Sequence, residues 1–123
     1  MHTRITTAID NMLKNVPGVI GVILVDWDGH PIYLNGRFDV EPDKLGALTS
    51  ICHACCTQVG EKLGQQVITI LAEYENLKLY QIGLTEKGQM IILTKTNEAQ
   101  FGMLRLEAHK TLEKFSQALN SKD

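Results

Sequence analysis

Hydrophobic positions change their period along the chain, and the changes divide it into eight pieces. Between Thr3 and Asn15, Ile5, Ile9, Met12 and Leu13 recur at helical spacing, with Val16 just beyond. Arg4, Thr7, Asp10, Asn11 and Lys14 take the other side, so this piece predicts an amphipathic helix stopped by Pro17-Gly18. Val19 to Val25 is continuously apolar and nearly all β-branched, the pattern of a central strand covered on both faces. Asp28-Gly29 predicts a hairpin turn, because glycine accepts the positive φ such turns require. His30 to Leu34 reads as the returning strand and Asn35 to Glu41 as a polar loop. Pro42 suits the first turn of a helix, where a missing N–H costs nothing. That helix runs to about Leu63, with Gly64 as its stop. Val67 to Tyr74, Leu77 to Leu84 and Gln89 to Thr96 are three further strands, separated by turns at Glu75-Asn76 and Glu86-Lys87-Gly88. From Glu98 to about Leu119 a last helix carries the stripe Phe101, Leu104, Ala108, Leu112, Phe115 and Leu119, with Asn97 as its cap.

The order α-ββ-α-βββ-α predicts an α+β fold: a five-stranded antiparallel sheet with helices on both faces, since two strands are apolar on both sides. A length of 123 residues with no linker, repeat or low-complexity stretch fits one domain, 1–123.

The middle helix is unusual. From Leu45 to Gly60 it carries no Asp, Glu, Lys or Arg for 16 residues. Leu45, Leu48, Cys52, Cys55, Cys56, Val59 and Leu63 fall on one arc, which is assigned to the sheet. Ala47, Ile51 and Ala54 extend the apolar surface round one side, and Gly46, Thr49, Ser50, His53, Thr57 and Gly60 make up the rest. A solvent-facing helix side ordinarily carries charge, as the last helix does with Arg105, Glu107, Lys110, Glu113 and Lys114. The expectation is therefore a helix with one side on its own sheet and the other on a second protein. Ala47, Ile51, Ala54 and Gln58 are assigned to a dimer contact, and the small polar residues Ser50, His53 and Thr57 to a partner.

Charge and candidate chemistry narrow the function classes. Twelve basic and fourteen acidic residues leave a net charge of −2, which offers nothing to nucleic acid or an anionic membrane. No apolar run approaches the roughly 18 residues of a membrane span. With no signal-peptide core, no lipidation signal at His2 and none in Asn120-Ser121-Lys122-Asp123, a cytoplasmic protein without a direct membrane anchor is expected. Cys52, Cys55 and Cys56 are too few and too close for a disulfide framework or a four-ligand zinc site, and His2, His30 and His109 stand apart from them. They read as core packing. No nucleophile–base pair, phosphate loop or dinucleotide fingerprint is present; in Gly18-Val19-Ile20-Gly21 the second glycine lies inside a strand. Asp26 and Asp28 read as turn residues rather than catalytic carboxylates. Trp27 between them either anchors a partner or folds back over the sheet edge. No enzyme, cofactor or metal is predicted.

Taken in order, Pro17-Gly18-Val19-Ile20-Gly21, the hydrophobic strand, Asp26-Trp27-Asp28-Gly29, the small-residue helix, the three-strand meander and Asn97 through Phe101-Gly102-Met103-Leu104-Arg105-Leu106 resemble the roadblock family of dynein-light-chain-type domains. The resemblance spans nearly the whole chain. It implies a fold similar to profilin and longin domains and a homodimer in which the central helices pair and the third strands join two sheets into one. Thr69, Ile70, Leu71 and Glu73 would then belong to the dimer contact. Prokaryotic members of that family commonly work with Ras-like small GTPases as regulators, activators or scaffolds. Eukaryotic ones serve as dynein subunits or membrane-tethered scaffolds. Activation in such a family reshapes the partner's own switch regions. The alternatives are an adaptor or light chain of a motor or cytoskeletal complex and, less favoured, a small-molecule sensor, whose sheet would resemble this one.

Overall fold

The structure is a computed structural model and describes residues 2–85, 88–95, 106–107 and 110. Helix α1 (His2–Asn15) buries Ile9 and Met12 completely. Gly18, at φ +89°, turns the chain into β1 (Val19–Asp26), which is buried without a break from Gly21 to Val25. The β1 turn closes on Gly29, at φ +92°. One Asp26 carboxylate oxygen accepts the backbone N–H of Asp28 at 3.0 Å and of His30 at 2.9 Å. This is the turn role expected of that carboxylate. Strand β2 (Pro31–Gly36) returns alongside β1. Helix α2 (Pro42–Leu63) starts on Pro42 and ends at Gly64, whose φ of +66° lets the Gln65 N–H close back on the Gly60 carbonyl at 2.9 Å. Then follow β3 (Thr69–Glu73), β4 (Leu77–Thr85) and β5 (Gly88–Lys95).

The spatial order is β2-β1-β5-β4-β3, antiparallel throughout. The two strands that are apolar at consecutive positions, β1 and β5, therefore lie at the centre, where both faces are covered. One face meets α1 through Val22, Leu24, Met90, Ile92 and Tyr80. Asp10 ties α1 to β2 by accepting from the Tyr33 hydroxyl at 3.2 Å and from the Asn35 amide. The other face carries Ile23, Val25, Leu79 and Ile91, with Phe38, Leu45, Ala72 and Leu93 packed on them. Gly21 lacks a side chain at the place where the Phe38 ring lies, which explains a glycine inside an otherwise bulky strand.

The expected fold class holds, and so does the order of elements from α1 to β5. Strand β2 begins one residue later than predicted and continues to Gly36, because Asn35 and Gly36 still pair with Val22 and Gly21. Strand β3 is shorter than the predicted Val67 to Tyr74, because its ladder with β4 runs only from Thr69 to Glu73. The turn at Glu86-Lys87, the Asn97 cap and the last helix lie outside the described residues, except Leu106, Glu107 and Lys110, which are helical.

Candidate interaction surface

Helix α2 lies on the sheet by its small-residue side, rotated away from the arc its hydrophobicity suggests. Gly46, Thr49 and Gly60 are its buried residues. Gly46 sits against the Gly29 carbonyl and the Val25 side chain, and Gly60 against the Gln65 carbonyl, so a Cβ at either would meet backbone. Beneath α2 the sheet is partly polar. The buried Gln81 amide donates to the Thr49 carbonyl at 2.8 Å and to the Gln89 side-chain oxygen at 3.1 Å. A floor made of glycine contacts and glutamines accepts small and hydroxyl-bearing residues. Large aliphatic side chains in the same place would strand those amides without partners.

The assignment of Leu48, Cys55, Val59 and Leu63 to the core is therefore corrected. Leu48 is 65% exposed, Val59 58%, and Leu63 and Cys55 are exposed as well. Of the predicted core stripe, Leu45 packs on the second core cluster and Cys52 and Cys56 are half-buried. Burial pushes the Cys52 thiol up, and the neighbouring Cys56 thiol adds to this. Such a thiol is protonated and unreactive.

The outer side of α2 presents Ala47, Ile51, Ala54 and Gln58, all exposed, together with the leucine and valine just named. Ile51 alone is 61% exposed. Strand β3 is a sheet edge, bonded on one side only, to β4. On it Thr69, Leu71 and Glu73 are exposed and Ile70 is half-buried, and Ile68, just ahead, is 70% exposed. Among the described residues the fold thus leaves the uncharged helix face and the β3 edge uncovered, and the β2 edge, with Ile32 and Leu34 exposed, is open as well.

Ser50, His53 and Thr57, assigned from sequence to a partner surface, are half-buried and turn toward the sheet rather than outward. The Ser50 hydroxyl is buried. Thr57 donates its hydroxyl to the His53 carbonyl at 2.9 Å. The His53 ring lies 4.4 Å from the Trp27 ring, tilted by 40°. Trp27 therefore folds back from the hairpin over α2 instead of standing free. Burial pushes the His53 imidazole below its ordinary value, so it is neutral at pH 7. Below this pair opens a cavity of about 520 Å³, bordered also by Glu61, Gln65 and Gly83. Asp26, Asp28 and His30 bring ligand-type atoms within 4.8 Å of one another. The Asp26 carboxylate is already engaged by the turn.

Sequence reasoning found the uncharged helix and missed which way it faces. Gly46, Thr49, His53, Thr57 and Gly60 repeat at helical spacing as cleanly as the leucines do, and periodicity alone does not say which stripe meets the sheet.

Residues 6–96 match the model of the Roadblock/LC7 domain. No curated protein sequence matches the chain. Among solved structures, Myxococcus xanthus MglB is similar with a TM-score of 0.87 and 19% identity over 98% of each chain. A Roadblock/LC7 domain from Streptomyces avermitilis gives 0.85 and 16%, over 94% of this chain and 97% of that one. An MglB with a tetrameric arrangement gives 0.79 and 17%, over 89% and 83%. At such identities the likeness is one of fold.

Proposed function

The chain belongs to the Roadblock/LC7 domain family, and we propose that it acts there as a non-enzymatic homodimer that binds a Ras-like small GTPase and regulates or scaffolds it. The family is one of interaction and adaptor modules. The observation that carries the dimer is the outer face of α2 with the open β3 edge beside it. Ala47, Ile51, Ala54 and Gln58 on the helix, with Thr69, Ile70, Leu71 and Glu73 on the strand, form the contact, and Leu48, Cys55 and Val59 join them. Two such faces brought together by a two-fold axis remove apolar surface from water at roughly 25 cal/mol per Å². They also give each strand edge the partner it lacks. The tetrameric arrangement of one MglB neighbour supports self-association of this fold.

The GTPase reading rests on the family, whose prokaryotic members commonly work with Ras-like small GTPases. Activation would act by reshaping the switch regions of the bound GTPase. The test is direct. The purified protein is mixed with small GTPases of the same organism, loaded with GDP or a non-hydrolysable GTP analogue, and GTP turnover is followed with and without it. Nucleotide-dependent binding is the expected result, and faster turnover identifies an activator. Binding to none of them in either state would refute the reading. A stable complex with a motor or cytoskeletal subunit instead would establish the adaptor role.

A further inference from the structure

The two free edges of the sheet are not equivalent. Strand β2 is bulged where its register with β1 shifts, opposite Leu24 and Val25. Pro31 at its start has no N–H, and the Asn35 side-chain oxygen accepts the Gly36 N–H at 2.8 Å. A bulge, a proline and a side-chain cap each blunt an edge against further pairing. Strand β3 has none of these and pairs with β4 without a shift from Thr69 to Glu73. Its next rung shows which way the backbone groups point, because the Tyr74 N–H donates to the Leu77 carbonyl at 2.8 Å. Residues that bond to one neighbour alternate along an antiparallel strand. Ile70, Ala72 and Tyr74 therefore bond to β4, and the N–H and C=O groups of Thr69, Leu71 and Glu73 face outward. The same edge carries two large apolar side chains, Ile68 at 70% and Tyr74 at 60% exposure. Tyr74 borders an apolar groove of about 270 Å³ with Val40, Leu45, Leu77 and Leu79, which places its ring on the α2 side of the sheet. Ile68 falls on that side too, by alternation with Ala72, which packs on the cluster under α2.

On the homodimer reading above, we propose that a second copy of this chain docks on β3 in one register, centred on Leu71, and that its Ile68 closes the open side of the groove at Tyr74. Strands related by a two-fold axis can pair about Ile70, Leu71 or Ala72. Centred on Leu71, each Thr69 faces the partner's Glu73, and Leu71 faces the partner's Leu71. All three outward residues of each strand then exchange both of their hydrogen bonds, three rungs of two bonds each. Centring on Ile70 or Ala72 keeps only two of those rungs, and a shift by a single residue sets outward groups against inward ones. The Leu71 register also lines up the side chains on the α2 side. Ile70 lies beside the partner's Ala72, and Ile68 beside the partner's Tyr74. These are the non-hydrogen-bonded positions, where side chains approach most closely. The two most exposed apolar side chains of this edge cover one another, twice in the dimer, and each groove gains a wall from the other chain. In either neighbouring register Ile68 and Tyr74 miss each other.

The register is tested on the full chain by exchanging charges. Ile68→Glu and Tyr74→Lys, both exposed in the protomer, should leave the circular dichroism unchanged. Each should weaken the dimer about tenfold or more in a dilution series followed by light scattering, because each adds an unpaired charge to the contact twice. The double variant Ile68→Glu/Tyr74→Lys should recover most of that loss, since the two charges then meet across the two-fold axis. Within one chain these positions stand beyond opposite ends of β3, so the recovery is intermolecular. Amide hydrogen exchange gives a second measurement. The N–H groups of Thr69, Leu71 and Glu73 should exchange slowly in the dimer and fast in the Ile51→Glu monomer, while those of Ile70 and Ala72, bonded to β4, stay slow in both. A dimer in which the double variant recovers nothing, or in which the Thr69 or Glu73 amide is unprotected, overturns the register and leaves the homodimer reading standing. A monomer for the unmodified protein overturns both.

Discussion

Gly46 shows how much one missing methyl group sets. It lets α2 approach until its backbone meets the Gly29 carbonyl of the β1–β2 turn. Gly46→Ala should lift the helix off the sheet and cost about 1–3 kcal/mol, the usual penalty of overpacking. Urea unfolding of an Ile51-charged, monomeric background would measure it cleanly, and an unchanged midpoint would show that the helix has slack. His53 acts through protonation. Its folded-state value is lowered by burial beside Trp27. The unfolded chain therefore takes up a proton first as pH falls below about 6.5. Stability should decline from there until the folded imidazole also protonates, and be insensitive to His53 above that window. A His53→Phe variant should show a flatter stability profile between pH 7 and 5, and an identical profile would contradict this assignment. Asp26 has the same sign in a more acidic window. Its backbone hydrogen bonds lower the carboxyl, with the His30 N–H first among them, so the turn is secure at neutral pH and weakens only in acid.

At the scale of elements, α2 is governed by what lies under it. The Gln81–Gln89 pair and the Thr49 carbonyl form a buried polar seam, and the hydroxyl and glycine side of the helix covers it. The aliphatic side is left to the outside. Ile51→Glu places a charge in the middle of that outer face. Since Ile51 is exposed in the protomer, the fold should survive. Burying an unpaired charge at a helix pair is costly, so the dimer should dissociate. Light scattering at micromolar concentration should give twice the chain mass for the unmodified protein and the single mass for the variant. A monomer for both would refute the pairing.

For the whole molecule, a sheet carries α1 on one face and α2 on the other, with its two edges at β2 and β3. Such an arrangement leaves the β3 side open for growth. Cys55 provides a probe of that assembly, because its thiol is exposed on the protomer beside half-buried Cys52 and Cys56. In the dimer it should react with a thiol reagent at least about tenfold more slowly than in the Ile51→Glu monomer. Equal rates would place the dimer contact elsewhere. No helix among the described residues is long and apolar enough to cross a membrane.

Much of this was readable in the amino-acid order. The β-branched run at Val19–Val25 and the apolar run through Met90–Leu93 identify the two central strands, because a strand covered on both faces has no reason to alternate. Pro42 and Gly64 mark the ends of α2, and Asp28-Gly29 the turn after β1, through backbone geometry that few other residues allow. The uncharged stretch Leu45–Gly60 marks a helix whose outer side lacks the charge that a solvent-facing side ordinarily carries. Its orientation was not readable. Helical periodicity reports that two faces differ, and the choice between them depends on the surface opposite. That surface is assembled from Gln81 on β4, Gln89 on β5 and the turn at Gly29, residues distant in the chain that only the sheet brings together. The cavity under Trp27 has the same origin: an indole from a hairpin, an imidazole from a helix and a glycine from a strand meet in space with no shared spacing to announce them.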